Sequence, residues 1–277
     1  MRKIKYPLIV SDFDGTLARK DGGIGEKTRR AIDEYVANGG IFAISTGRMP
    51  SGILPHAKSL GLKGFLCCGQ GSVIINLDNG ETIMQAPLSN SQSVAICKKM
   101  EEMGLHTHAY GLFDYYCNMD DDALKIYEEA VGIKAKCILD KPLWKYIEET
   151  GLESFKLLAM VNPEDSPKII KELEDAHFEN CIVTKSARFL VEICNANYSK
   201  GTSVKFLAQE YNIPLERTIA IGDQWNDLSM LQTAGLGIAV ANAQPELKAV
   251  AKEIPYTNNE DAVGYVIEKY AYVEEEA

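Results

Sequence analysis

The chain has 277 residues, 46% of them hydrophobic and 25% charged, with a formal net charge of −10. That length holds one large domain or two ordinary ones, with enough apolar residues for a sizeable core. The negative balance argues against nucleic acid as a partner, which demands clustered Lys and Arg, and no apolar run approaches the roughly 20 residues that span a bilayer.

The N-terminus sets Arg2, Lys3 and Lys5 ahead of apolar Leu8–Val10, the outline of a secretion signal, but Asp12 follows almost at once. A cytoplasmic protein is therefore expected. The seven cysteines are an odd number, include the adjacent pair Cys67 and Cys68, and show no Cys-x-x-Cys spacing. Buried reduced thiols are expected rather than disulfides or a zinc site. The acidic end Glu274–Glu276 reads as a solvated tail.

In chain order, Leu8–Val10 predicts a compact strand. Glu26 to Asn38 carries helical spacing through Ala31, Ile32, Tyr35 and Val36, and Gly39-Gly40 stops it. Ile41–Ile44 predicts a second strand, Pro50–Leu60 a helix and Phe65–Cys68 a third strand. Continuous apolar strands alternating with helices imply a parallel sheet covered on both faces. Val73–Asn76 and Thr82–Gln85 flank Asp78-Asn79-Gly80, a hairpin signal.

After Pro87 the texture changes. A helix is expected over Ser91–Met103, strands near Leu105–Ala109 and Phe113–Asn118, and a helix over Asp121–Val131. A strand at Phe155–Val161, a helix at Glu164–His177 and strands at Cys181–Lys185 and Phe189–Cys194 follow. The alternating pattern then returns: helix Gly201–Tyr211, strand Thr218–Ile221, helix Asn226–Thr233 and strand Gly237–Val240. A helix over Pro245–Lys252, a short strand at Ile254–Tyr256 and a helix from Asp261 complete it. The expected class is α/β, with a Rossmann-like parallel-sheet core domain (residues 1–87 and 188–277) and an inserted α+β domain (88–187).

Four segments carry chemistry, each ending a predicted strand or opening the next helix, so all converge on one edge of the sheet. Asp12-Phe13-Asp14-Gly15-Thr16 follows the first strand. Alternate residues of an extended chain share a side, so Asp12 and Asp14 suit a nucleophile and an acid/base at one reacting atom. Ser45-Thr46-Gly47-Arg48 offers a hydroxyl and backbone amides to a phosphoryl oxygen. Tyr198-Ser199-Lys200-Gly201 brings one lysine to a helix start. Gly222-Asp223-Gln224-Trp225-Asn226-Asp227 offers oxygen ligands, which suit Mg²⁺ rather than zinc or copper; the spacing of an EF-hand loop is missing. Singly, each also fits an ordinary turn or helix cap.

These motifs, in this order and with the insert between the second and third, resemble a haloacid-dehalogenase superfamily phosphatase of the Cof-type branch, over essentially the full length. The resemblance implies that Asp12 attacks phosphorus to form an aspartyl-phosphate, and that Asp14 protonates the leaving oxygen and then activates water. It also implies that Thr46, Gly47, Lys200 and Asn226 hold the phosphoryl group. Mg²⁺ would bind Asp12, the backbone carbonyl of Asp14, and Asp223, with Asp227 orienting Lys200 or a metal-bound water. The insert becomes a cap domain that selects the substrate, a small phosphorylated metabolite with sugar phosphates first. His106, His108, Tyr110, Asp114, Tyr115 and Tyr116 are candidate contacts, although such alternation more often marks a half-exposed strand. Arg48 and Arg188 are candidate anion binders or structural ion-pair partners. Gln70 stands where related sequences often carry Asn, and its longer side chain puts a substrate contact there in doubt. No nucleic acid, membrane or obligate protein partner is expected. A phosphomutase on the same scaffold and a catalytically silent phosphate-binding module are the competing readings; a receiver domain is too short.

Overall fold

A computed structural model describes residues 2–273; the acidic end Glu274–Glu276 lies outside them. The chain divides into two compact units. One takes the described residues up to Gly47, then Ala57–Met84 and those from Tyr198 onward; the other takes Arg48–His56 and Gln85–Asn197.

The chain opens with β1 (Leu8–Asp12), α1 (Glu26–Ala37), β2 (Ile41–Ser45), α2 (Pro50–Ser59), β3 (Phe65–Cys68), β4 (Val73–Asn76) and β5 (Thr82–Gln85). Next come α3 (Asn90–Glu102), β6 (His106–Tyr110), β7 (Tyr115–Cys117), α4 (Asp122–Val131), β8 (Lys136–Cys137) and α5 (Leu143–Thr150). Then follow β9 (Lys156–Met160), α6 (Ser166–Glu174), β10 (Cys181–Ala187) and β11 (Leu190–Asn195). It closes with α7 (Lys200–Glu210), β12 (Thr218–Gly222), α8 (Leu228–Thr233), β13 (Leu236–Ala239), α9 (Pro245–Lys248), β14 (Lys252–Glu253) and α10 (Ala262–Tyr270).

The first unit holds an eight-stranded sheet in the order β14-β13-β12-β1-β2-β3-β4-β5. From β14 to β3 the strands run parallel, and β4 turns back antiparallel on β3. All five residues of β1 are buried, as a strand covered on both faces requires. Because β1 lies between β2 and β12, segments more than 170 residues apart meet at one edge, with Asp12 opposite Ser45 and Ser11 opposite Ile221. The Asp78-Asn79-Gly80 turn closes β4 and β5 as expected, with the Gly80 amide donating to the Asn76 carbonyl at 2.8 Å.

The second unit holds a six-stranded sheet in the order β10-β11-β9-β6-β7-β8. Alternate residues of a strand face opposite sides. Ala109, Leu157, Ala159, Val191 and Ile193 point to one side and pack in a core with Ile96, Met100, Leu143, Ile147 and Leu173. The other side carries His108, Tyr110, Tyr115 and Tyr127, whose rings lie in mutual contact. It also carries the buried pair Lys156–Glu192 at 2.8 Å.

Four expectations need correction. The boundary expected at residue 188 leaves the Phe189–Cys194 strand in the core domain, but β11 pairs with β9 and β10. A boundary at 188 would cut a hairpin whose turn is Arg188-Phe189, and the chain instead re-enters the first unit at Tyr198. The helix expected over Pro245–Lys252 stops at Lys248, and the last short strand occupies Lys252–Glu253, which pair with Ile238 and Ala239, rather than Ile254–Tyr256. His106, His108, Tyr110 and Tyr115 are buried, not half exposed. No helix among the described residues is long and apolar enough to cross a membrane.

Candidate active site

The first loop is shaped by Gly15. Its φ of +84° lies where side-chain-bearing residues are strained, and a Cβ there would sit 2.6 Å from Asp223 Oδ2. The same loop is tied to the β12 end by the Thr16 hydroxyl, which donates to Asp223 Oδ1 at 2.6 Å. Asn242 Nδ2 donates to the Gly15 carbonyl at 2.7 Å.

Lys200 is the first residue of α7, and its side chain is buried. Its ammonium donates to Asp12 Oδ1 at 2.5 Å and to Asp227 Oδ1 at 2.6 Å. The other oxygen of Asp227 accepts the backbone amides of Asp223 at 2.8 Å and Gln224 at 2.9 Å. Asp227 thus closes the Gly222–Asp227 turn while tethering the lysine.

Asp12, Asp223 and Asp227 bring ligand atoms within 4.8 Å of one another, all buried. Three carboxylates face one ammonium, so the site is short of positive charge. Burial, and then the Asp227 and Asp223 carboxylates, push the Asp12 carboxyl well above its usual range, against the pull of Lys200. Burial works against the Lys200 ammonium, but Asp12 and Asp227 outweigh it and hold the group above its ordinary value. A buried, all-oxygen, electron-rich cluster fits a hard cation such as Mg²⁺.

Thr46 and Gly47 follow β2. The Thr46 amide donates to the Cys67 carbonyl at 2.8 Å, and its carbonyl accepts from the Gln70 amide at 3.2 Å. Gln70 adopts left-handed backbone (φ 58°). Its side-chain nitrogen would stand 2.6 Å from a Cβ at position 47, so only glycine fits there without moving it. Asn226 Nδ2 donates to Gln70 Oε1 at 3.3 Å. Gln70 therefore lies against Gly47 and bonds Asn226.

Of the expected site residues, Asp12, Lys200, Asp223 and Asp227 are in one buried cluster, and Gly47 and Asn226 converge on Gln70. Asp14 is exposed and stands in a backbone bridge with Ala18. Arg188 is exposed in the β10–β11 turn. Thr16, Gln224 and Asn242 hold the loops in place; only the first two sit inside a recognisable motif.

Residues 9–267 match the sequence profile of the haloacid dehalogenase-like hydrolases. The chain belongs to that family. A Haemophilus influenzae protein bearing a phosphatase name is 30% identical over 264 residues, covering 95% of this chain and 98% of its own length. The 5-amino-6-(5-phospho-D-ribitylamino)uracil phosphatase YitU of Bacillus subtilis is 26% identical over 270 residues, covering 95% and 97%. A crystal structure from Thermotoga maritima superposes with a TM-score of 0.84 at 25% identity, covering 98% of both chains. This haloacid dehalogenase-like hydrolase is a phosphatase of phosphoric monoesters, from a superfamily that is generally metal dependent.

Proposed function

We infer that the protein is a Mg²⁺-dependent phosphatase that transfers the phosphoryl group of a small metabolite to Asp12 and then to water. The buried Asp12–Lys200–Asp227 chain beside Asp223 is the observation that carries this reading. Asp12 attacks phosphorus as the ester oxygen departs. Asp14 gives that oxygen a proton, then takes one from the water that opens the aspartyl-phosphate. Its exposure suits a group that exchanges protons twice per cycle.

Lys200, held by Asp227, keeps a fixed positive charge against the nucleophile. Thr46, the Gly47 amide and Asn226 hold the phosphoryl oxygens, with Gln70 steadying Asn226. Asp12, Asp223 and the backbone carbonyl of Asp14 would hold Mg²⁺. Its charge would offset the repulsion between two anions and the charge that develops in the transition state.

The second unit, residues 48–56 and 85–197, is the substrate-selecting cap in this reading. A phosphorylated, polyhydroxylated carbon chain is the favoured substrate class, a sugar phosphate first. The phosphoribityl group in the name of the Bacillus subtilis relative supports that choice. The test is phosphate release from para-nitrophenyl phosphate with and without Mg²⁺, beside Asp12→Asn. Metal-dependent release that the substitution abolishes is expected. Phosphate passed to a second sugar instead of released would make the protein a mutase, and no turnover across a phosphometabolite panel would make it a binding module.

A further inference from the structure

β7 and β8 form one end of the six-stranded sheet and run parallel, with Cys117 directly opposite Cys137. Their sulfurs are 3.3 Å apart. Neighbouring strands lie about 4.7–4.9 Å apart, within the roughly 4.4–6.8 Å Cα separation that a disulfide bridges. The sulfurs can therefore join by side-chain rotation alone. Cys117 is fully buried, whereas Cys137 is half-buried on the edge strand. β8 is only two residues long and has a neighbour on one side alone, so it is the part of the sheet that opens most readily.

We propose that Cys117 and Cys137 form a hydroperoxide-responsive disulfide, a modification site apart from the phosphoryl-transfer residues. Burial pushes the Cys117 thiol up to about 12, so it remains protonated while the more accessible Cys137 meets the oxidant. Cys137 sulfur attacks one peroxide oxygen, giving a sulfenic acid and releasing water when the peroxide is hydrogen peroxide. Cys117 sulfur then attacks the sulfenic sulfur, the S–S bond forms, and its thiol proton leaves with the hydroxyl as a second water. Two thiols lose two electrons and two protons, and one peroxide becomes two waters. The bridge closes the chain that contains α4 and pins the short edge strand to β7, which constrains the unfolded ensemble.

The experiment exposes the full chain to hydrogen peroxide, unfolds it in N-ethylmaleimide and measures intact and peptide masses. The expected result is loss of two of the seven alkylatable thiols, a Cys117–Cys137 cross-linked peptide, and recovery of both thiols with dithiothreitol. The oxidised protein should also melt at a higher temperature than the reduced one. Cys137→Ser, a change at a half-buried position, should keep every remaining thiol after the same exposure. Cys117→Ser should yield a Cys137 sulfenic acid that dimedone captures. All seven thiols surviving in the wild type would overturn the proposal. So would a disulfide between other cysteines, or over-oxidised Cys137 beside an alkylated Cys117. None of these readouts depends on phosphate release.

Discussion

Lys200 would be rejected by its surroundings if it stood alone, since burying an isolated ammonium is costly. Asp12 and Asp227, at 2.5 and 2.6 Å, make it tolerable, and the arrangement in turn holds the nucleophile and the turn after β12 together. Lys200→Met should reduce phosphate release at least about 100-fold, the scale of losing one preorganised electrostatic contact. It should also destabilise the fold by about 3–5 kcal/mol, because two carboxylates are left buried without their cation. Steady-state kinetics and urea unfolding of the same preparation measure both. Full stability in the variant would contradict the central place given to this lysine. At the same scale, the grouping of Asp12, Lys200 and Asp223 was legible because each sits in a short segment that ends a predicted strand or opens the next helix. Gln70 was not, because its left-handed backbone turns the side chain toward Asn226 in a way residue type does not announce.

Among the elements, β6 shows what alternation reveals and what it hides. The period of two places His106, His108 and Tyr110 on one face, but says nothing of what covers it. Here Tyr127 of α4 lies against His108, with ring centroids 5.0 Å apart, and Tyr110 and Tyr127 share a hydroxyl–hydroxyl hydrogen bond. Burial first, then His106 of the same strand and Lys156 of β9, lower His108 to about 3; Tyr115 of β7 also faces it. A histidine depressed in the folded state contributes full stability above its unfolded value, near 6.5, and loses it as pH falls toward 3. Wild type should therefore lose stability relative to His108→Phe by about 1.4 kcal/mol for each pH unit below that value. Denaturant midpoints of the two proteins across the acid range check the difference, and parallel profiles would contradict it.

The Lys156–Glu192 pair on that same face, at 2.8 Å, follows a related rule. Lys156→Met alone strands a buried carboxylate and should cost about 3–5 kcal/mol, whereas Lys156→Met with Glu192→Leu should recover most of the loss. Equal stability of the single and double variants would show that the pair is not coupled. α5 had no sequence expectation although Leu143, Trp144 and Ile147 lie at helical spacing and pack on the core; its eight residues make only about two turns, a short stretch on which to read a period.

For the whole molecule, the alternating strand–helix pattern at both ends of the chain was enough to predict one parallel sheet closed around an insert. The order of that sheet, with β1 between β2 and β12, gathers the four motifs at one edge. What local pattern did not reveal was where the insert ends. β10 and β11 are joined by a two-residue turn, and only their pairing across the sheet shows that both belong to the second unit. The account as a whole stands on the phosphoryl group residing for a time on Asp12. The Asp14→Asn variant isolates that step: para-nitrophenolate leaves without an acid, while opening of the aspartyl-phosphate needs the missing base. Mixing this variant with para-nitrophenyl phosphate and Mg²⁺, then quenching with borohydride, should release about one nitrophenolate per chain in a burst and convert Asp12 to homoserine. Linear release with no burst and an unmodified Asp12 would contradict it.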